Sequence, residues 1–136
     1  MRWKFCLLIL AACIGCGSGK ERYRVSGKVT YAGQPVPVGR ILFEPDRAKG
    51  NSGPQGFATI AKGEYDTALS GAKGSIGGPM LVKIDAFDGV PQGENSPPLG
   101  TPLFPSTFTQ AIELPSGDST HDFEIPRVGT GAAIAK

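Results

Sequence analysis

Few side chains in this 136-residue sequence could do chemistry, and most of them stand apart. The single histidine, His121, is followed by Asp122, and Ser119 lies two positions before it. Serine, imidazole and carboxylate are the parts of a nucleophilic triad, in which the imidazole takes the hydroxyl proton and the acid orients the imidazole. The spacing opposes that reading. Neighbours on a strand point to opposite faces, so His121 and Asp122 diverge. No glycine-rich nucleophile elbow surrounds Ser119. Asp85, Asp88 and Glu94 could offer oxygens to calcium, which takes about six to eight of them, but no Asp-x-Asp-x-Asp run is present. With one histidine and no cysteine after Cys16, the body lacks a typical zinc ligand set. The residues therefore predict no enzyme, no catalytic residue, no metal site and no cofactor.

The cysteines point to another kind of chemistry. Cys6, Cys13 and Cys16 all lie in a leader. Arg2 and Lys4 give that leader a positive start, and Phe5 to Ile14 then runs apolar. A membrane-spanning helix needs about 20 apolar residues, so this run is too short to span. A charged start before a short apolar run reads as a secretory signal. Gly17-Ser18-Gly19-Lys20 superficially suggests a phosphate loop, but Glu21 stands where Ser or Thr is required, and the segment reads as a flexible tether.

The formal net charge of +2 belongs to the leader. From Glu21 onward, 11 basic residues face 12 acidic ones. No basic patch remains to neutralise a phosphate backbone, so no nucleic-acid partner is expected. The body also has no cysteine to staple it, so its core must suffice alone.

The elements that must position these residues are strands. The chain has 20 glycines and 12 prolines, yet 40% of it is hydrophobic and only 19% is charged. That mixture suits a turn-rich all-β domain and argues against long solvated helices. Tyr23 to Tyr31 alternates with a period of two. Further strands are predicted over Gly39 to Glu44, Gly56 to Ala61, Glu64 to Leu69, Met80 to Phe87, Thr107 to Leu114 and Ser119 to Ile125. Tyr65, Thr67 and Leu69 are expected on one inner face, and so are His121, Phe123 and Ile125. Asp88 to Pro105 is the longest irregular stretch, and loops of that length are often functional or mobile. Seven short strands with closely spaced turns predict a β-sandwich.

Two resemblances add to this reading. Leu10-Ala11-Ala12-Cys13 resembles the lipobox of bacterial lipoproteins, with Ile14-Gly15-Cys16 as a competing site. That family implies a cysteine, Cys16 or Cys13, acylated after cleavage and anchoring the chain to a membrane. In the body, Val25-Ser26-Gly27-Lys28-Val29-Thr30-Tyr31 with Gly33-Gln34-Pro35-Val36 resembles the opening of carboxypeptidase-regulatory-like, or transthyretin-like, domains. Ile41-Leu42-Phe43-Glu44-Pro45, Gly63-Glu64-Tyr65 and Leu81-Val82-Lys83-Ile84 are similar to later strands of that family. The likeness covers about Arg22 to Pro126. It implies a seven-stranded prealbumin-like (Ig-like) sandwich and no activity. A purine-derivative-hydrolysing branch of the family needs several histidines and a Tyr-Arg-Gly-Ser end; here the tail reads Gly129-Thr130-Gly131-Ala132.

The expected layout is a lipoprotein signal over residues 1–15, a tether over 16–21, the sandwich over 22–126 and a disordered tail over 127–136. The expected role is a lipid-anchored envelope module, periplasmic or at the cell surface, with an unknown envelope protein or glycan as partner. The only tryptophan, Trp3, lies in the leader, so Tyr31, Phe87 and Phe104 are left to contact such a glycan or peptide, with Phe87 and Phe104 as the candidates, although core or edge packing is the expectation for all three.

Overall fold

The computed structural model of the chain describes residues 19–127. Cys13, Cys16, the expected signal and almost all of the expected tail lie outside the described residues. Alternation of side chains organises the rest. In β1 (Val25–Tyr31), Val25 and Val29 are buried while Lys28 is exposed. In β3 (Val38–Pro45), Ile41 and Phe43 are buried and Arg40 is exposed. In β4 (Gly56–Ala61), Ala58 and Ile60 point inward while Phe57, Thr59 and Ala61 point out. In β6 (Gly78–Phe87), Met80, Val82, Ile84 and Ala86 are all buried. One face of each of these four strands is apolar, and hydrophobic burial brings those faces together.

The strands form an all-β fold built on a curled, mostly antiparallel sheet. Its order is β2 (Gln34–Pro35), β1, β5 (Glu64–Asp66), β4, β3, β6 and β7 (Phe108–Leu114). Two further strands, β8 (Ser119–Thr120) and β9 (Phe123–Ile125), lie parallel to β1. Val25 pairs with Ser119 and Val29 with Phe123, so the last described strands return to the first. The curl brings Phe43, Tyr65 and Phe123 together. Tyr65 stands 5.9 Å from Phe43 and 6.1 Å from Phe123, ring centre to ring centre.

The strands differ from the expected set in three places. The stretch Glu64 to Leu69 keeps only Glu64–Asp66 as strand. Asp66 ends it: its Oδ1 accepts the Ala68 N–H at 2.9 Å and its carbonyl accepts the Leu69 N–H at 3.3 Å. The chain turns there, and Leu69 is left 62% exposed instead of inside. The expected strand Ser119 to Ile125 is broken at His121–Asp122, because Asp122 Oδ1, not a backbone carbonyl, accepts the Lys28 N–H at 2.8 Å. Gln34–Pro35, outside the expected strands, pairs with Thr30 and Tyr31 as β2.

The Tyr65 hydroxyl donates to the His121 carbonyl at 2.6 Å, which locks the broken segment to the core. Burial, with a smaller contribution from the Asp122 charge, pushes the phenol's pKa well above its usual value and keeps it a donor. Tyr65→Phe removes that donor and keeps the ring. It is expected to lower unfolding free energy by about 1–2 kcal/mol, the typical loss when a partly buried carbonyl is stranded. Urea unfolding with an unchanged m-value checks this.

Candidate functional site

Two of the triad parts are engaged elsewhere. Asp122 holds the Lys28 amide, and the His121 ring lies against Phe123 with centres 4.7 Å apart. Ser119 Oγ is buried and has no hydrogen-bond partner among the described residues. No hydrogen bond joins these three side chains among the described residues. The arrangement lacks the nucleophile–base contact that acyl transfer needs.

Asp85, Asp88 and Glu94 are likewise separate. Asp85 Oδ1 accepts the Thr107 hydroxyl at 2.7 Å, and Glu94 is exposed in the long loop. Among the described residues no group of three His, Cys, Asp or Glu side chains is placed to hold a metal.

Asp88 has a different job. Its Oδ1 accepts the N–H of Val90 at 2.9 Å and of Thr101 at 2.9 Å. Its own N–H donates to the Thr101 carbonyl at 3.0 Å, and Gly89 N–H donates to Leu99 at 3.1 Å. One carboxylate thus closes the neck of the loop that runs to Pro105. Gly100 makes this closure possible. Its φ is +83°, and an added Cβ would collide with the Asp88 carboxylate and lie 2.6 Å from Val90 N.

The two amides facing Asp88 hold its carboxyl below the usual aspartate value of 3.8. The sign follows. Closure is fully supported above that usual value and weakens as pH falls through the depressed one. Asp88→Ala is expected to speed proteolytic nicking between residues 88 and 105 by about tenfold at neutral pH, with the strand core intact. Mass mapping of the nicks checks it. Wild-type protein should approach the variant only in acid.

Phe87 and Phe104, predicted from the sequence as ligand contacts, do meet at one place. With Pro102, Pro105, Asp85 and Thr107 they line an open groove of about 250 Å³. They play unequal parts. Phe104 is only 7% exposed and packs on Tyr31 with ring centres 5.5 Å apart, so it belongs to the core. Phe87 is half-buried and pairs with Pro102 across the groove. The groove arises because β7 pairs with β6 only as far as Ile84, and residues 104–106 stand off beyond it.

A larger depression, about 520 Å³, escaped the sequence reading. It lies on the outward face of β1, β5 and β4, with Arg24, Lys28, Glu64, Asp66, Thr120 and Asp122 around it. Arg24 donates to both oxygens of Asp66, at 2.9 and 2.5 Å. The guanidinium, followed by the Ala68 amide, holds the Asp66 carboxyl below its usual range. Its cations and anions alternate, so this face carries no field of one sign to attract a charged ligand. Its residues read singly as solvated strand faces, and only the curl gathers them. Compared with protein-family models, with curated proteins and with solved structures, the chain matched none of them.

Proposed function

We propose that the chain is a lipid-anchored β-sandwich module of the cell envelope, outside the cytosol, with a structural or interaction role and no catalysis. The leader carries this reading: Arg2 and Lys4, the apolar run to Ile14, a lipobox-like cysteine and a Gly-Ser-Gly tether follow one another in export order. A body without cysteine that buries its own apolar rows supports it, since such a domain needs no disulfide outside the cell. Gly19 to Arg22 are exposed, which suits a body hanging from a tether. An acyl chain contributes about 0.8 kcal/mol per buried methylene, and one chain alone holds weakly, so a stable anchor needs several on the cysteine. The alternating apolar rows along the curled sheet support a sandwich within this reading.

Metabolic palmitate labelling tests the anchor. Label should enter the wild-type chain and vanish in either Cys16→Ser or Cys13→Ser, which identifies the acylated residue. An unlabelled wild-type chain overturns the anchor. The second reading, a glycan- or peptide-binding surface module, rests on the groove between Phe87 and Phe104. Phe87→Ala is its clean test, because Phe104 is a core residue. Saturable binding on a glycan or peptide array that falls at least tenfold in this variant supports that reading; binding unchanged by it removes the groove as the site.

A further inference from the structure

Among the described residues the sheet ends at β7, whose one neighbour is β6. The direction of its backbone groups can be worked out. Asp46 N–H donates to the Pro79 carbonyl at 3.0 Å, so the odd-numbered residues of β6 turn their groups toward β3. The even-numbered ones turn toward β7, in line with the 2.9 Å bond from Leu103 N–H to the Ala86 carbonyl. With Val82 opposite Gln110, this engages Phe108, Gln110 and Ile112. The N–H and C=O groups of Thr109, Ala111 and Glu113 therefore face outward, and among the described residues they have no partner.

Exposed edges are normally blunted by proline, lysine, a bulge or shortness. β7 has seven residues in unbroken register, no proline or lysine, and Glu113 as its one charge. The other margin is protected, because β8 and β9 span two and three residues with His121–Asp122 between them.

We propose that β7 is the contact strand of a homodimer, joined antiparallel to β7 of a second copy about a two-fold axis at Ala111. The strand is complementary to itself in that register. Ala111 faces its own copy, and Thr109 faces Glu113. Every outward N–H and C=O is then paired, whereas a slide of two residues strands one residue on each strand. The charges also agree. Lys83 lies beside Thr109 on β6, so it shares an outer-face row with Glu113 of the second copy. Two strand spacings separate them, about 9.6 Å between Cα atoms, and Lys83, whose ammonium meets Glu44 Oε2 on β3, must turn toward β7 to close the gap. The axis repeats this pair and never sets Glu113 against Glu113. On the inner face, half-buried Phe108 meets Leu114 of the second copy and Ile112 meets its Gln110. Both copies use the same strand, so the assembly closes at two. The inference is independent of the anchor.

The test uses the full chain with Cys6, Cys13 and Cys16 changed to serine, so that neither lipid nor a leader disulfide joins copies. Sedimentation should show a concentration-dependent dimer. Ala111→Lys, at an exposed position, should raise the dissociation constant at least about tenfold while leaving the thermal transition in place. In the same background Ala111→Cys should form a disulfide dimer on mild oxidation, and Thr59→Cys, on the outward face of β4, should not. A monomer at every concentration, growth beyond two copies, or a dimer that survives Ala111→Lys each overturns the proposal. So does a β7 edge that captures an added extended peptide but never a second copy.

Discussion

Phe43→Ala is expected to lower unfolding free energy by about 3–5 kcal/mol, the range for truncating a fully buried aromatic. Phe43 sits at the centre of β3, between β4 and β6, and is completely inaccessible to water. Its ring meets Tyr65 at 5.9 Å, so truncation removes both apolar area and an aromatic contact. β3 is hydrogen-bonded on both sides, and the backbone around the hole has little freedom to collapse. Domains of this size are stable by about 5–15 kcal/mol, so the loss takes a large share of the whole. Phe57→Ala provides the contrast. Phe57 lies opposite Leu42 on the next strand, but it faces outward and is 39% exposed. Its removal should change stability by less than about 1 kcal/mol. Urea titration of both variants decides the matter: equal losses would mean that the inner and outer faces of β3 and β4 are assigned wrongly.

That contrast also separates what the sequence carries from what it hides. The period of two in Val25–Tyr31, Gly56–Ala61 and Met80–Phe87 identifies strands and their inner faces, because burial on one face leaves an alternating trace. Phe87 and Phe104 are candidates by virtue of being aromatic, and they do share a groove. Nothing local, however, tells which of the two packs into the core, as Phe104 does against Tyr31. Side chains that act on backbone are invisible in the sequence. Asp66 ending β5, Asp88 closing a loop onto Thr101, and Asp122 replacing a ladder carbonyl at Lys28 all read as ordinary solvated acids. Their partners lie two to 94 residues away, and no periodicity encodes such pairings. The edge position of β7 is hidden for the same reason. Phe108 and Ile112 carry an inward pattern, yet both stay half-exposed because, among the described residues, no strand follows β7 in the sheet.

Gly27→Ala should cost about 2–4 kcal/mol, although its backbone conformation suits any residue. The reason is a close approach. A Cβ on Gly27 would collide with the His121 carbonyl oxygen and come within 2.7 Å of its carbon. That carbonyl is the one that accepts the Tyr65 hydroxyl, and the neighbouring Asp122 carboxylate, 2.9 Å from the new Cβ, accepts the Lys28 amide. Both obstacles are backbone or backbone-bound, so neither can swing aside as a flexible side chain would. The parallel segment from Ser119 to Ile125 must move off β1, and Phe123 and Ile125, 2% and 1% exposed, move with it. Exposing even part of two large apolar side chains accounts for the magnitude, at roughly 1.5–3 kcal/mol for each one fully lost. Hydrogen exchange should localise the damage. Amides of residues 119–125 and of β1 should lose protection in Gly27→Ala, while those of β3 and β6 keep it. Ser26→Ala next door adds no bulk and should be nearly silent. A Gly27→Ala protein as stable as wild type would show that the final segment does not lie parallel against β1.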